Sequence, residues 1–211
     1  MSKRPRPRFD EHQRIAAYVT KLKEPVVAIF DVGTRACRVI VAPKQVPEKW
    51  TTKNKKYGTE NTFCMDGEAF NLGLDFQANN NALPLDSRSL LHVIDFIKGH
   101  VKNLQQLGVD RADISLIGTA VFRWLHNQEA VLGLIKKETG FELGEISSPF
   151  EAELALRAIP QIHKRHSGYQ QPIQDEDWVA VIDQGGGSLE VAWMKWSERN
   201  SDRPRIRAKC D

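Results

Sequence analysis

A chain of 211 residues, 41% apolar and 27% charged, has room for one domain or one and a half small ones and has the balance of a water-soluble globular protein. Its formal charge of +3 is too small to argue for nucleic acid by itself, and no apolar stretch approaches the ~20 residues of a membrane span. The basic start runs into Asp10, Glu11 and His12 rather than an apolar signal core, and the cysteines (Cys37, Cys64, Cys210) show no C-x-x-C spacing, so a cytoplasmic protein with reduced thiols is expected.

Residues 1–24 read as a polar arm, within which Ile15, Ala16, Val19 and Leu22 could form a short amphipathic helix. Residues 25–31 (PVVAIFD) predict a buried strand and residues 36–42 (ACRVIVA) its hairpin partner, with DVGT as the turn. Residues 43–61 are rich in Lys, Thr and Asn and read as a loop, with a further strand near 62–65. Leu90, Ile94, Ile97, Val101 and Leu104 alternate steps of four and three, which predicts a long helix capped by Asp86 or Ser87 and ended by Gly108.

Residues 113–120 predict a buried strand. Asn127 is placed to cap a helix with Ala130, Val131, Leu134 and Ile135 on one face, ended by Gly140. Residues 142–147 read as a strand, and Ser148 opens a third helix through about Ile159. Residues 161–177 are polar and read as a linker. Residues 178–183 and 188–196 then predict two strands joined by a glycine turn, and the last dozen residues read as a charged, frayed end. Strands alternating with helices imply an α/β fold with a mixed sheet. Lys and Arg crowd into the start (Lys3, Arg4, Arg6, Arg8), a middle stretch (Lys44, Lys49, Lys53, Lys55, Lys56) and the end (Arg203, Arg205, Arg207, Lys209); solvated tails and attraction of a polyanion are both open readings.

The stretches VAIFDVGTRACRVIVA (27–42) and AVIDQGGGSLEVAW (180–193) share one design: apolar strand, Asp, any residue, Gly, short turn, alternating strand. Two hairpins of one design suggest two similar lobes facing each other. Without a Cβ, successive backbone N–H groups can point into one concavity and donate to phosphate oxygens. An aspartate at the end of a buried strand needs a partner, and Mg²⁺, itself a partner of phosphate, is suited to it.

At these residues the chain resembles the superfamily of actin, sugar kinases and heat-shock chaperones, and more narrowly the exopolyphosphatase / guanosine pentaphosphate phosphohydrolase family. FDVGTRACRVIV, IGTAVFRWLHN, EISSPFEAELAL and VIDQGGGSLEV occur in that family's order over residues 26–193. The resemblance implies a mixed-sheet, ribonuclease H-like (actin-like ATPase) lobe: an arm at 1–24, a first lobe at 25–160, a linker at 161–177 and the opening hairpin of a second lobe at 178–211. It implies hydrolysis of phosphoanhydrides with Mg²⁺, on inorganic polyphosphate or guanosine pentaphosphate. A basic rim favours polyphosphate. Glu151 would be the general base and Arg123 would hold the phosphate under attack. Gly185, Gly186, Gly187 and Ser188 would cradle it, with Asp31, Gly33, Thr34 and Arg35 as the opposite turn. Asp183 and Glu190 would serve the metal or the water network.

Two departures stand out. Thr34-Arg35-Ala36 replaces the family's Ser-Asn-Ser-like run, and Glu153 stands where Arg is usual. Bland readings compete at several positions. Glu151 also completes a capping box with Ser148, Arg123 could be a surface ion pair, and Glu190 alternates with Leu189 and Val191 as a solvent-facing residue would. His92, His100, His126, His163 and His166 show no ligand spacing and read as surface residues, and Trp178, Trp193 and Trp196 as core or sheet-face residues. A whole second lobe needs about 100 residues or more. Three expectations are therefore open: the opening hairpin packs on the first lobe, it pairs with another chain (a homodimer or a partner chain that completes the cleft), or it belongs to a longer protein. A regulatory phosphate-binding module and a kinase-like ATP-binding lobe are the alternatives.

Overall fold

The computed structural model describes residues 11–22, 24–45, 64–165, 173–199 and 207–210. The basic residues at 3–8 and 49–56, Arg203 and Arg205 lie outside them, as do the side chains of His163, His166, Arg207, Lys209 and Cys210.

Strand β1 (Val26–Val32) alternates strictly: Val26, Ala28, Phe30 and Val32 are buried. It pairs antiparallel with β2 (Ala36–Pro43), and the register sets Phe30 opposite Val39 and Val32 opposite Cys37, so one face collects the apolar side chains of both. β3 (Cys64–Ala69) extends the sheet beyond β2; it shares Cys64 and Met65 with the strand expected near 62–65 and ends at Ala69. β4 (Ile114–Gly118) lies parallel to β1 on the other side, and β5 (Leu143–Glu145) parallel to β4. The order β3-β2-β1-β4-β5 is a mixed sheet, as the α/β pattern implied.

Helix α1 (Glu11–Leu22) belongs to this core: Ile15 and Tyr18 are buried in it, so the stretch read as a polar arm contributes packing. After β3 comes the short α2 (Leu72–Ala78), begun by Asn71 in the left-handed region (φ 57), which no sequence signal announced. α3 (Arg88–Gln106) buries Leu90, Ile94, Ile97, Val101 and Leu104 as its periodicity predicted. Ser87 caps it by accepting from the Leu90 N–H at 3.4 Å, and Gly108 (φ 84) follows its end. α4 (Ala120–Arg123) is a single turn after β4. α5 (Gln128–Thr139) buries Val131 and Ile135, and Gly140 closes it with φ 80.

Asn127 occupies the N-cap position of α5, as read, but its side chain makes no capping bond. Its side chain clamps the Leu83 backbone instead, with Leu83 N–H donating to Oδ1 at 3.0 Å and Nδ2 donating to the Leu83 carbonyl at 2.7 Å. His100 is likewise no surface residue: it is buried on α3, 3.1 Å from Asp66.

α6 (Ser148–Arg165) continues into the stretch read as a linker. It covers one face of a second, three-stranded antiparallel sheet, β6 (Trp178–Gln184), β7 (Leu189–Lys195) and β8 (Arg207–Cys210). Ala152 and Leu156 meet Ala192, Met194 and Trp196 there. Residues 207–210, read as frayed, are a paired strand. The opposite face leaves Trp178, Ile182 and Leu189 exposed, so of the tryptophans read as core or sheet-face residues Trp178 lies on the sheet face and Trp196 in the core. Among the described residues no helix is long and apolar enough to cross a membrane.

Candidate active site

The parallel strands β1, β4 and β5 end on one side of the first sheet, where active loops of open α/β sheets gather. Each end delivers a group. β1 ends on Asp31-Val32 and β4 runs through Thr119 into α4 with Arg123, while β5 runs through Ser147 into α6 with Glu151. Backbone bonds lock these exits together: Thr119 N–H donates to Val32 O at 3.2 Å, and Ile146 N–H to Gly118 O at 3.1 Å.

Arg123 is the centre of the constellation. Its Nη1 donates to the Ile146 carbonyl and to Glu151 Oε2, both at 2.9 Å, and its Nη2 faces Glu190 Oε1 at 3.4 Å. The three side chains are 8%, 21% and 1% exposed for Arg123, Glu151 and Glu190. Arg123 is therefore no surface ion pair and Glu190 does not face solvent. The capping-box reading of Glu151 also gives way. Ser147, one residue earlier than expected, takes the Phe150 N–H on its hydroxyl at 3.4 Å, while the Glu151 carboxylate goes to Arg123.

The two hairpins repeat each other bond for bond. Gly33 N–H donates to Ala36 O at 2.9 Å, and at the equivalent place Gly185 N–H donates to Ser188 O at 3.0 Å. Asp31 stands opposite Arg38 across the first ladder, and Asp183 opposite Glu190 across the second. Gly33 and Gly185 thus spend their N–H groups closing the turns.

Neither Gly186 nor Gly187 is needed for a left-handed backbone, since the positive-φ glycines among the described residues are Gly108 and Gly140. They are needed for close approach. A Cβ on Gly187 would lie 2.6 Å from Thr34 Oγ1, and one on Gly186 would lie 3.0 Å from Arg35 Cβ. The turns therefore abut, and residues 185–187 remain exposed. Thr34 is wedged between this turn and Gly73 of α2, whose N–H donates to the Thr34 carbonyl at 2.9 Å.

The electrostatics are crowded with carboxylates. Burial is the main cause that lifts the Asp31 pKa; Arg38, 3.6 Å away, opposes it, and Glu151 and Asp183 raise it further. Burial also lifts Glu190, against the Ser188 hydroxyl that donates to it and against Arg123, with Glu151 and Asp183 adding to the rise. Asp31 and Glu190 therefore each feel Glu151 and Asp183, with the Arg38 guanidinium beside Asp31 and that of Arg123 between Glu151 and Glu190. Among the described residues no three His, Cys, Asp or Glu side chains converge as a ready metal cage. Mg²⁺ does not require one: it commonly takes one or two carboxylates and completes its shell with phosphate and water. Asp183 and Glu190, hard oxygen donors on facing strands, fit that pattern.

A mixed ribonuclease H-like sheet with paired Asp-x-Gly hairpins and a buried Arg–Glu pair between them defines a lobe of the actin-like ATPase class. The model of the Ppx/GppA phosphatase family matches residues 62–201, and the chain belongs to that family. The matched segment holds Arg123, Glu151 and the second hairpin; Asp31 to Arg38 precede it. The solved structures agree in fold. A Ppx/GppA family member from Aquifex aeolicus is similar with a TM-score of 0.58 at 20% identity, over 88% of this chain and 51% of that one. An exopolyphosphatase from Cytophaga hutchinsonii is similar with a TM-score of 0.60 at 16% identity, over 87% of this chain and 50% of that one. The chain thus spans about half the length of these structures. A search of curated proteins finds no match.

Proposed function

We propose that the chain hydrolyses a phosphoanhydride, releasing the terminal phosphate of inorganic polyphosphate in preference to that of guanosine pentaphosphate. The observation that carries this reading is the Arg123–Glu151 pair, 2.9 Å apart and set beside an exposed glycine turn. Phosphoryl transfer needs the phosphate held in line, its charge offset and a water placed behind it. Arg123 offsets charge, the Gly186 and Gly187 amides with the Ser188 hydroxyl hold oxygens, and Glu151 orients the water. Asp183, with Glu190, would hold Mg²⁺, which would supply further charge neutralisation on the phosphate oxygens.

Two exposed arginines on the first hairpin, Arg35 and Arg38, support a long polyanion over a nucleotide. The Arg35 stem flanks Gly186, where a following phosphate of the chain would pass. A second copy completing the cleft is part of the same reading, supported by the exposed apolar face of the β6–β8 sheet. A cytoplasmic location is supported by the free thiols of Cys37 and Cys64.

The test is phosphate release from each substrate in Mg²⁺, with the native mass measured in the same buffer. Faster release from polyphosphate is expected. Release from guanosine pentaphosphate alone overturns the substrate choice, and release from neither overturns the activity.

A further inference from the structure

Arg123 is fully used on one side only. Its Nη1 has two acceptors at 2.9 Å, Glu151 and the Ile146 carbonyl. Its other edge, Nε with Nη2, is poorly used. Nε is buried without a hydrogen-bond partner among the described residues, and Nη2 reaches Glu190 at 3.4 Å, beyond the 2.7–2.9 Å typical of a charge-assisted bond. A buried donor left unsatisfied is costly, and that side-on edge has the shape that takes two oxygens of one phosphate.

We infer that Glu190 is a built-in competitor for the phosphate seat on Arg123: it occupies the Nε/Nη2 edge loosely with one oxygen, and the terminal phosphate displaces it by binding that edge with two. This inference rests on the proposed reading of the site. It assigns Glu190 a positioning role, in which an incoming phosphate frees that carboxylate while Nη1 keeps Glu151 in place. Displacement frees Glu190 Oε1, the oxygen that faces the guanidinium, so that this oxygen joins the rest of the machinery only after the seat has filled.

The experiment is calorimetric titration of the full chain with orthophosphate and with tripolyphosphate, without divalent ion, so that no turnover intervenes. Glu190→Gln keeps the shape of the side chain and removes its charge. It should bind both anions about tenfold more tightly than wild type, the size of one charge-assisted hydrogen bond. Arg123→Lys, which lacks the side-on edge, should erase that gain in the double variant. A second readout needs no variant. In wild-type protein the Arg123 Nε–H resonance should shift and exchange more slowly with solvent when phosphate is added. Equal or weaker binding by folded Glu190→Gln, a gain that survives Arg123→Lys, or an unmoved Nε–H resonance overturns the inference. If wild type turns over polyphosphate while these results appear, only the competitor role falls. If neither anion binds any variant, the phosphate seat falls and the proposed function with it.

Discussion

The two Asp-x-Gly hairpins share their turn bond and their cross-strand register and differ in charge. In the first, the residue opposite the aspartate is Arg38, which meets Asp31 at 3.6 Å. In the second it is Glu190, which adds a carboxylate beside Asp183 and draws its cation from elsewhere, Arg123 on α4. The same backbone device therefore yields one turn that carries its own cation and one whose charge depends on α4, the helix that follows β4 of the other sheet. Only the second is tied, through Arg123, to Glu151.

Breaking that dependence should have the largest effect. Arg123→Ala leaves Glu190 buried without its cation, and removing one partner of a buried pair costs about 3–5 kcal/mol. Urea unfolding should show that loss together with loss of activity, whereas a loss within about 1 kcal/mol would mean that Arg123 is no more than a surface charge. Next comes the contact between the turns. Gly187→Ala puts a Cβ 2.6 Å from Thr34 Oγ1, so a destabilisation of about 1–3 kcal/mol and weaker phosphate binding are expected. Thr34→Ala in the same chain should recover most of it; no recovery would show that the turns do not touch.

Gly133 on α5 is the matching control. A Cβ there meets nothing within 4 Å, so Gly133→Ala should stabilise by about 0.4–1 kcal/mol with activity unchanged. A loss of stability there would contradict the packing described for α5. The smallest effect concerns Asp31. Its pKa is raised above the usual 3.8, so the folded state holds the proton better than the unfolded one. That stabilisation is complete below the usual value and is lost as pH rises through the raised one. Asp31→Asn should flatten this part of the stability profile, read as urea midpoints from below 3.8 to neutral pH. An unaltered slope would place Asp31 in a wetter setting.

Much of this was legible in the residues. The repeated hairpin follows from apolar alternation, Asp and Gly, and α3 from steps of three and four. What escaped depends on contacts distant in sequence or on short elements. Asn127 has a capping residue's chemistry, but its partner is Leu83. His100 lies on the apolar stripe of α3, between Ile97 and Leu104, yet its polarity argued for the surface. α2 starts without a side-chain cap, and β8 is a short charged strand that only its pairing with β7 defines. At the site, the family resemblance implied Arg123, Glu151 and Glu190, while the residues alone left a helix cap, a surface pair and a solvent-facing side chain open. That Arg123 bridges the two carboxylates follows only from the way α4, α6 and β7 meet.

The most direct measurement is single-turnover release of phosphate from polyphosphate in Mg²⁺ by wild type and by Glu151→Gln, with binding of the chain measured alongside. The account predicts that Glu151→Gln still binds polyphosphate and releases phosphate about 10²–10⁴ times more slowly. Equal rates in the two proteins would contradict it.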